Sequence, residues 1–345
     1  MNSGNPDEKY ELLELIGEGS YGVVYRGIDK DTNQSVAVKI LPNDDQTSVR
    51  ELQLEIDILK EASCPFVVDY YGCYVLEEEY WIVMEECAGG SALDLIEAAA
   101  AGTDTRGGGS GGSPLSEAEV RAVVASAALG LRYLHRNHSI HRDIKAGNIL
   151  LTANGTAKLA DFGVSAKLVN TLKKRNTVIG SPYWMAPEVI QETAYDGKAD
   201  VWSLGVTAVE LAEGNPPLHG VHPMRAIFMI PSKPAPTLKE EEKWSPEFCQ
   251  FVRFCLNKKV SDRPDTEAVC GHPFVQADVA DLQVSAAHPL LRALVARMAG
   301  TLNKYIDERN TNPEGSLKNQ QLAARLSKRR LGTGNSAGTS GVGGA

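Results

Sequence analysis

Long apolar runs are missing from this chain. No stretch approaches the roughly 18 consecutive apolar residues that a membrane-spanning helix needs. The opening residues, MNSGNPDEKY, are polar and acidic and carry no secretory signal pattern. The six cysteines (Cys64, Cys73, Cys87, Cys249, Cys255 and Cys270) form no C-x-x-C pair and no cluster with histidine. That spacing argues against a zinc site or a disulfide frame and for reduced, mostly buried thiols. An excess of positive charge is missing too. Against 44 Asp and Glu stand 35 Lys and Arg, a net charge of -9, which speaks against coating nucleic acid and for small or basic partners. No internal repeat is visible. These absences together predict a soluble cytoplasmic protein that engages neither nucleic acid nor membrane. What is present is ordinary globular composition, 43% hydrophobic and 23% charged over 345 residues, enough for about two folding units.

The pattern along the chain changes once. From Tyr10 to Cys87 it is strand-rich, with YELLELI, GVVYRGI, SVAVKIL, VVDYYGCYVL and YWIVMEEC. One helical stretch interrupts these, SVRELQLEIDILKEA, with Leu52, Ile56 and Leu59 at helical spacing. From Leu115 helices dominate, and ADVWSLGVTAVELAEG is apolar on nearly every face, as a fully buried helix would be. Between these parts, residues 97–114 run from alanines into Gly and Ser, the composition of a flexible insertion. LLRALVARMAGTLNKYI places Leu291, Val295, Met298, Leu302 and Ile306 on one helical face. Such a helix either packs back on the body or forms a dimer. The last residues are Gly- and Ser-rich, as in a disordered tail.

Polar groups crowd one apolar approach. In SIHRDIKAGNILL, the side chains of Arg142, Asp143, Lys145 and Asn148 precede a run of Ile-Leu-Leu that reads as a buried strand. Downstream, Asn154-Gly155 between apolar runs signals a hairpin, since both residues tolerate positive φ. With that pair as a two-residue turn, Asn148 falls opposite Asp161. Directly paired residues share a face, with β-carbons roughly 5 Å apart. An amide oxygen and a carboxylate there suit a magnesium ion that keeps waters and substrate phosphates as its other ligands. An ordinary Asn–Asp hydrogen bond at a strand end is the alternative.

Two further features bear on phosphate. LIGEGSYGVVY carries Gly17, Gly19 and Gly22 between two strand-like runs, and glycines let backbone amides approach a polyphosphate. A plain Gly-rich hairpin has the same appearance. A dinucleotide fingerprint is excluded, because a strand follows where a helix would be required. In SVAVKIL, Val36, Val38 and Ile40 share one face and Ala37, Lys39 and Leu41 the other. Lys39 is either solvated at a strand edge or paired. Glu55, on the apolar stripe of the interrupting helix, offers the partner, since a core-facing carboxylate is costly alone.

The Gly-rich loop, VAVK, the helix glutamate, HRDIKAGN, DFG and APE follow in an order that resembles the eukaryotic protein kinase family. The resemblance spans about Tyr10 to Phe274. KRNTVIGSPYWMAPEVIQE and HPMRAIFMIP are similar to the sterile-twenty-like serine/threonine kinases, and within them to the Hippo (MST) subfamily. The implied fold is α+β and bilobal, with a small β-rich lobe containing one helix and a larger α-rich lobe. The implied division is an extension at 1–9, a kinase domain at 10–274 with lobes 10–87 and 88–274, a helical extension at 275–310 and a tail at 311–345.

The resemblance also implies roles. Nucleotide would contact Ile16, Gly17, Glu18, Gly19, Ser20, Tyr21, Gly22 and Val24, with adenine against Ala37, Met84 guarding the back, and Glu85 to Cys87 as hinge. Lys39, held by Glu55, would bind the α- and β-phosphates of ATP. Asn148 and Asp161 would hold Mg2+, Asp143 would orient the acceptor hydroxyl, and Lys145 would neutralise the moving phosphoryl group. Glu188 with Arg263, and Asp200, would be structural. Thr177, beside Lys173, Lys174 and Arg175, would be an activating phosphorylation site with Arg142 as a phosphate ligand; a plain exposed threonine is the alternative. Ser181 stands where relatives have threonine. Protein substrates with Ser or Thr acceptors follow from the resemblance, as do MOB-type scaffolds and NDR-type kinases as partners. No sustained heptad pattern supports homodimerisation through the C-terminal region. A pseudokinase, acting as a binding or scaffold module, is the competing reading, and the presence of Lys39, Asp143, Asn148 and Asp161 opposes it.

Overall fold

The computed structural model describes residues 4–19, 22–42, 63–76, 79–101, 115–161 and 182–311. The chain divides into two compact units, one of Met1–Gln46, Tyr71–Met84 and Asp307–Ala345, the other of Thr47–Tyr70 and Glu85–Ile306. The fold is α+β, with a five-stranded sheet in the order β1-β2-β3-β5-β4 and a largely helical second unit.

A short helix α1 (Pro6–Lys9) leads into β1 (Tyr10–Gly19), β2 (Gly22–Asp29), β3 (Ser35–Pro42), β4 (Tyr70–Val75) and β5 (Glu79–Glu85). Period-2 alternation sorts their side chains. Val23 and Tyr25 of β2, Val36, Val38 and Ile40 of β3, and Trp81 and Val83 of β5 bury together with Tyr10, Leu12 and Tyr74. Tyr10 and Tyr74 meet edge to face at 5.8 Å. The helical stretch containing Glu55 lies outside the described residues.

In the second unit, α2 (Ala92–Ala101) and α3 (Glu117–Arg136) precede a small hairpin, β6 (Ile149–Leu151) and β7 (Ala157–Leu159). There follow α4 (Pro187–Ile190), α5 (Lys198–Glu213), α6 (Pro223–Ser232), α7 (Pro246–Cys255), α8 (Thr266–Cys270), α9 (Gln276–Val284) and α10 (Pro289–Thr311). A capping box starts α3: the Ser116 hydroxyl accepts from the Glu119 amide while Glu119 accepts from the Ser116 amide at 2.8 Å. Every residue of α5 from Ala199 to Ala212 is buried, polar ones included. Ser203 and Thr207 satisfy their hydroxyls on backbone carbonyls, Ser203 on Trp184 at 2.7 Å and Thr207 on Ser203 at 2.8 Å. Gly205 lets α7 approach, since a β-carbon there would lie 2.7 Å from that of Cys255.

The C-terminal amphipathic helix α10, which belongs to the second unit as far as Ile306, packs back on that unit through Leu291, Leu294, Val295 and Leu302, all of them buried. Arg297 pairs with Glu119 at 2.8 Å and the Tyr305 hydroxyl donates to Glu97 at 2.5 Å. No helix among the described residues is long and apolar enough to cross a membrane.

Candidate active site

In the first unit the Gly-rich segment is the close of a hairpin, with Gly19 opposite Gly22. A β-carbon on Gly22 would fall 2.2 Å from the Ile40 carbonyl oxygen, so the strand behind admits only glycine. Pairing aligns Gly17 with Val24 and Val24 with Lys39, one row across three strands. Alternation puts Ala37 on the Lys39 face of β3, away from the core side chains Val36, Val38 and Ile40. By the same alternation Met84 lies on the opposite face of β5 from Trp81 and Val83. Lys39 is itself buried. Ile16 is half-buried, and Glu18 pairs with Val23. Ser20, Tyr21 and Glu55 lie outside the described residues, so the Lys39–Glu55 pairing does too.

In the second unit two acids of α5 hold a polar loop. Asp200 accepts from the amides of His141 and Arg142, each at 2.8 Å, and from His135 Nε2 at 2.8 Å. Ten residues on, almost three turns of helix, Glu210 accepts from the Ala146 amide at 2.9 Å. Between these anchors the loop turns sharply, and Arg142 takes a φ of +72°. Three side chains meet within it. Asp143 Oδ2 accepts from Lys145 Nζ and from Asn148 Nδ2, both at 2.8 Å, and Asn148 Nδ2 also donates to the Asp143 carbonyl at 2.7 Å. Asp143 and Lys145 are both part-exposed and Asn148 is buried. With its nitrogen committed to Asp143, Asn148 has its amide oxygen as the atom suited to a cation.

Beneath the loop, His141 accepts from the Asp143 amide through Nδ1 at 3.3 Å and donates through Nε2 to the Ala160 carbonyl at 3.0 Å. Those two roles fix the neutral tautomer with the proton on Nε2. Burial drives the His141 pKa down, so the ring stays neutral although Asp200 and Asp143 are near.

The hairpin register departs from the expectation. Ile149 pairs with Leu159, Leu150 with Lys158 and Leu151 with Ala157, which sets Asn148 opposite Ala160, not Asp161. The Ala160 amide donates to the Asn148 carbonyl at 2.9 Å. The turn holds three residues, closed by Gly155 to Thr152 at 3.0 Å and Thr152 to Thr156 at 2.9 Å. Gly155 alone sits in the left-handed region, at φ +88°, whereas a two-residue turn of that type would need Asn154 there as well. The extra turn residue shifts the register by one. Asp161, at φ +60°, therefore reaches its place by a backbone turn and not by a cross-strand pair. The pairing argument for a shared cation site fails, and only the donor chemistry of Asn148 and Asp161 remains in its favour.

Arg263, fully buried, forks onto Glu188 through Nη1 at 2.6 Å and Nη2 at 3.0 Å. Its remaining donors reach the carbonyls of Lys198 at 3.0 Å and Asn257 at 2.8 Å. Sequence reasoning missed Glu210, having read α5 as apolar. Besides the Ala146 amide, its Oε2 accepts from the Trp184 indole at 2.8 Å, linking the polar loop to the segment before α4. Burial pushes Glu210 up to about 7, against the hydrogen bonds from Ala146 and Trp184 and the nearby charge of Lys145, which lower it. A charged residue within an otherwise apolar helix was the available signal.

Cys87 is half-buried and its thiol is pushed up to about 12, by burial first and the Glu85 carboxylate second. Thr177 and Ser181 lie outside the described residues. Among the described residues no three His, Cys, Asp or Glu side chains gather as a metal site. A magnesium ion that keeps waters and substrate phosphates needs only one or two protein ligands, so the oxygens of Asn148 and Asp161 fit it.

The family model described as "Protein kinase domain" matches residues 10–275. Two relatives named serine/threonine-protein kinase cst-1, from Caenorhabditis briggsae and Caenorhabditis elegans, are each 49% identical over 271 residues, covering 79% of this chain and 52% of theirs. The chain thus spans about half the length of these curated relatives.

Proposed function

The chain belongs to the protein kinase family, and we propose that it transfers the γ-phosphate of ATP to Ser and Thr hydroxyls of proteins. The convergence of Lys145 and Asn148 on the Asp143 carboxylate carries this reading. Phosphoryl transfer asks for positioning and charge neutralisation more than covalent help. Asp143 accepts or orients the proton of the acceptor hydroxyl. Lys145 stands 2.8 Å from that carboxylate, where its ammonium can offset charge on the phosphoryl group in flight. Lys39, in one row with Gly17 and Val24, holds the nucleotide phosphates, with the Gly-rich backbone above them. Asn148 and Asp161 would hold magnesium, which when bound offsets charge on the phosphates. The expected outcome is magnesium-dependent transfer of labelled phosphate to a basic protein, abolished in Asp143→Asn; undiminished transfer by that variant refutes the reading.

The proposal includes a switch and a setting. Phosphate on Thr177 adds a charge of about -1.5 to -2 and pairs with Arg142, which is exposed beside Asp143. Thr177→Ala should lose most activity, and full activity in that variant removes the switch. Ser181 keeps a hydroxyl within the same segment. The likeness to sterile-twenty-like kinases of the Hippo type supports a cytoplasmic signalling cascade with MOB-type scaffolds and NDR-type kinases as partners.

A further inference from the structure

Lys158 sits in β7 between Ala157 and Leu159 and is buried, though less completely than they are, at 8% exposure against 1% and 0%. A buried ammonium is costly without a counter-charge. Its Nζ donates to Glu85 Oε2 at 2.5 Å and stands 3.7 Å from Asp69 Oδ2. The same Glu85 oxygen accepts from the Asp69 amide at 3.2 Å, and the Glu85 amide donates to the Asp69 carbonyl at 2.8 Å. Three remote segments therefore meet on one cation: the residue before β4, the last residue of β5, and β7.

The partners are not equal. Glu85 is the nearer and the more buried, its side chain 20% exposed against 50% for Asp69, so solvent screens Asp69 more. β7 is a firm base for the arrangement. The Val68 amide donates to the Leu159 carbonyl at 3.0 Å, and the Leu159 amide to the Phe66 carbonyl at 2.9 Å. Glu85, by contrast, stands where the chain passes from the first compact unit into the second.

We propose that Lys158, Glu85 and Asp69 form an ionic clasp that orders the backbone of Glu85–Cys87 before nucleotide arrives, making Lys158 a positioning residue for nucleotide affinity. This rests on the reading of Glu85–Cys87 as the segment that holds adenine. Binding to backbone that is already ordered avoids paying its conformational entropy at the moment of association. Removing the cation leaves two carboxylates facing one another across the Asp69–Glu85 hydrogen bonds, and the segment loosens.

The test compares Lys158→Met, Lys158→Arg and Glu85→Gln with the parent chain. Lys158→Met should raise the KM for ATP and the Kd for ADP by about tenfold, with kcat within about twofold, the pattern of lost uniform binding. Amide hydrogen exchange at residues 85–87 should quicken in the same variant. Lys158→Arg, which keeps the cation, should recover most of the affinity. Glu85→Gln keeps the acceptor for the Asp69 amide but removes the main counter-charge, and should weaken ADP in the same direction; it carries the test if Lys158→Met does not fold. Unchanged ADP affinity in folded Lys158→Met and Glu85→Gln overturns the clasp, as does a change in kcat with KM unmoved. A parent chain that binds neither ATP nor ADP overturns the kinase reading instead, so the two failures are distinct.

Discussion

Asp200 and Glu210 hold the polar loop by directional hydrogen bonds, whereas Leu291, Leu294, Val295 and Leu302 hold α10 by apolar area. Both regions lie in the second unit. Apolar burial is non-directional and tolerates small slides. A carboxylate accepting from named amides at 2.8 to 2.9 Å tolerates very little. The fold spends directional contacts where atoms must be placed and apolar ones where a segment need only stay attached.

The largest break in that comparison is Asp200→Ala. It orphans the amides of His141 and Arg142 and strips His135 of its acceptor. Removing one member of a buried charged set costs about 3–5 kcal/mol. Urea titration should show that loss, and kinase activity should fall with it because Asp143 follows directly. An unmoved urea midpoint would mean the loop does not depend on the acid beneath it.

Glu210→Gln sharpens the comparison through pH. Burial raises the folded-state pKa to about 7 from an ordinary 4.5, so between those values folding takes up a proton. A raised carboxyl pKa makes stability highest below the unfolded value and lowers it as pH rises toward 7, with no further change above. The full drop is on the order of 3 kcal/mol. Glutamine can still accept from Ala146 and Trp184 but does not titrate. Stability of parent and variant, measured at pH 5 and pH 8, should diverge with pH; parallel profiles would show that Glu210 keeps an ordinary pKa.

Leu302→Ala probes the apolar side. Leu302 packs on Gly90, where a β-carbon would stand 3.1 Å from it. Truncating this buried leucine should cost about 2 kcal/mol, the low end for such a change. Transfer activity per folded molecule should hold, unlike Asp200→Ala. Equal loss of activity in both variants would erase the distinction between placing and attaching.

The same distinction governs what the sequence revealed. Apolar periodicity announced the strands β1 to β5 and the helix α10, because burial repeats at a fixed spacing, while α5 was announced by being apolar on nearly every face. Val36, Val38 and Ile40 bury on the side that alternation named. Directional features were harder. Asn154-Gly155 signalled a hairpin correctly, yet its length depended on whether Asn154 takes positive φ, which the residue types leave open. One residue of register then moved Asn148 from Asp161 to Ala160. Glu210 and Lys158 were passed over because each is a lone charge in an apolar run, and its partner comes from a remote part of the chain.

The smallest effect belongs to Arg297→Ala, which removes a directional contact from the region held by apolar area. Arg297 is 60% exposed, so its pair with Glu119 is screened by water and salt. Burial works against the Glu119 carboxylate, but the Ser116 amide and hydroxyl, together with Arg297, hold its pKa below the usual range. Ser116 remains in the variant, and most of that stabilisation with it. The expected cost is therefore within about 1 kcal/mol, shrinking in high salt. Glu119→Ala should cost more, because it also breaks the capping box at the start of α3. Because the folded pKa of Glu119 is depressed, its contribution is present above the unfolded carboxyl pKa and is lost as acidity protonates it. If Arg297→Ala instead matched Leu302→Ala in thermal denaturation, α10 would be held by charge, and the contrast with the polar loop would fail at its weaker end.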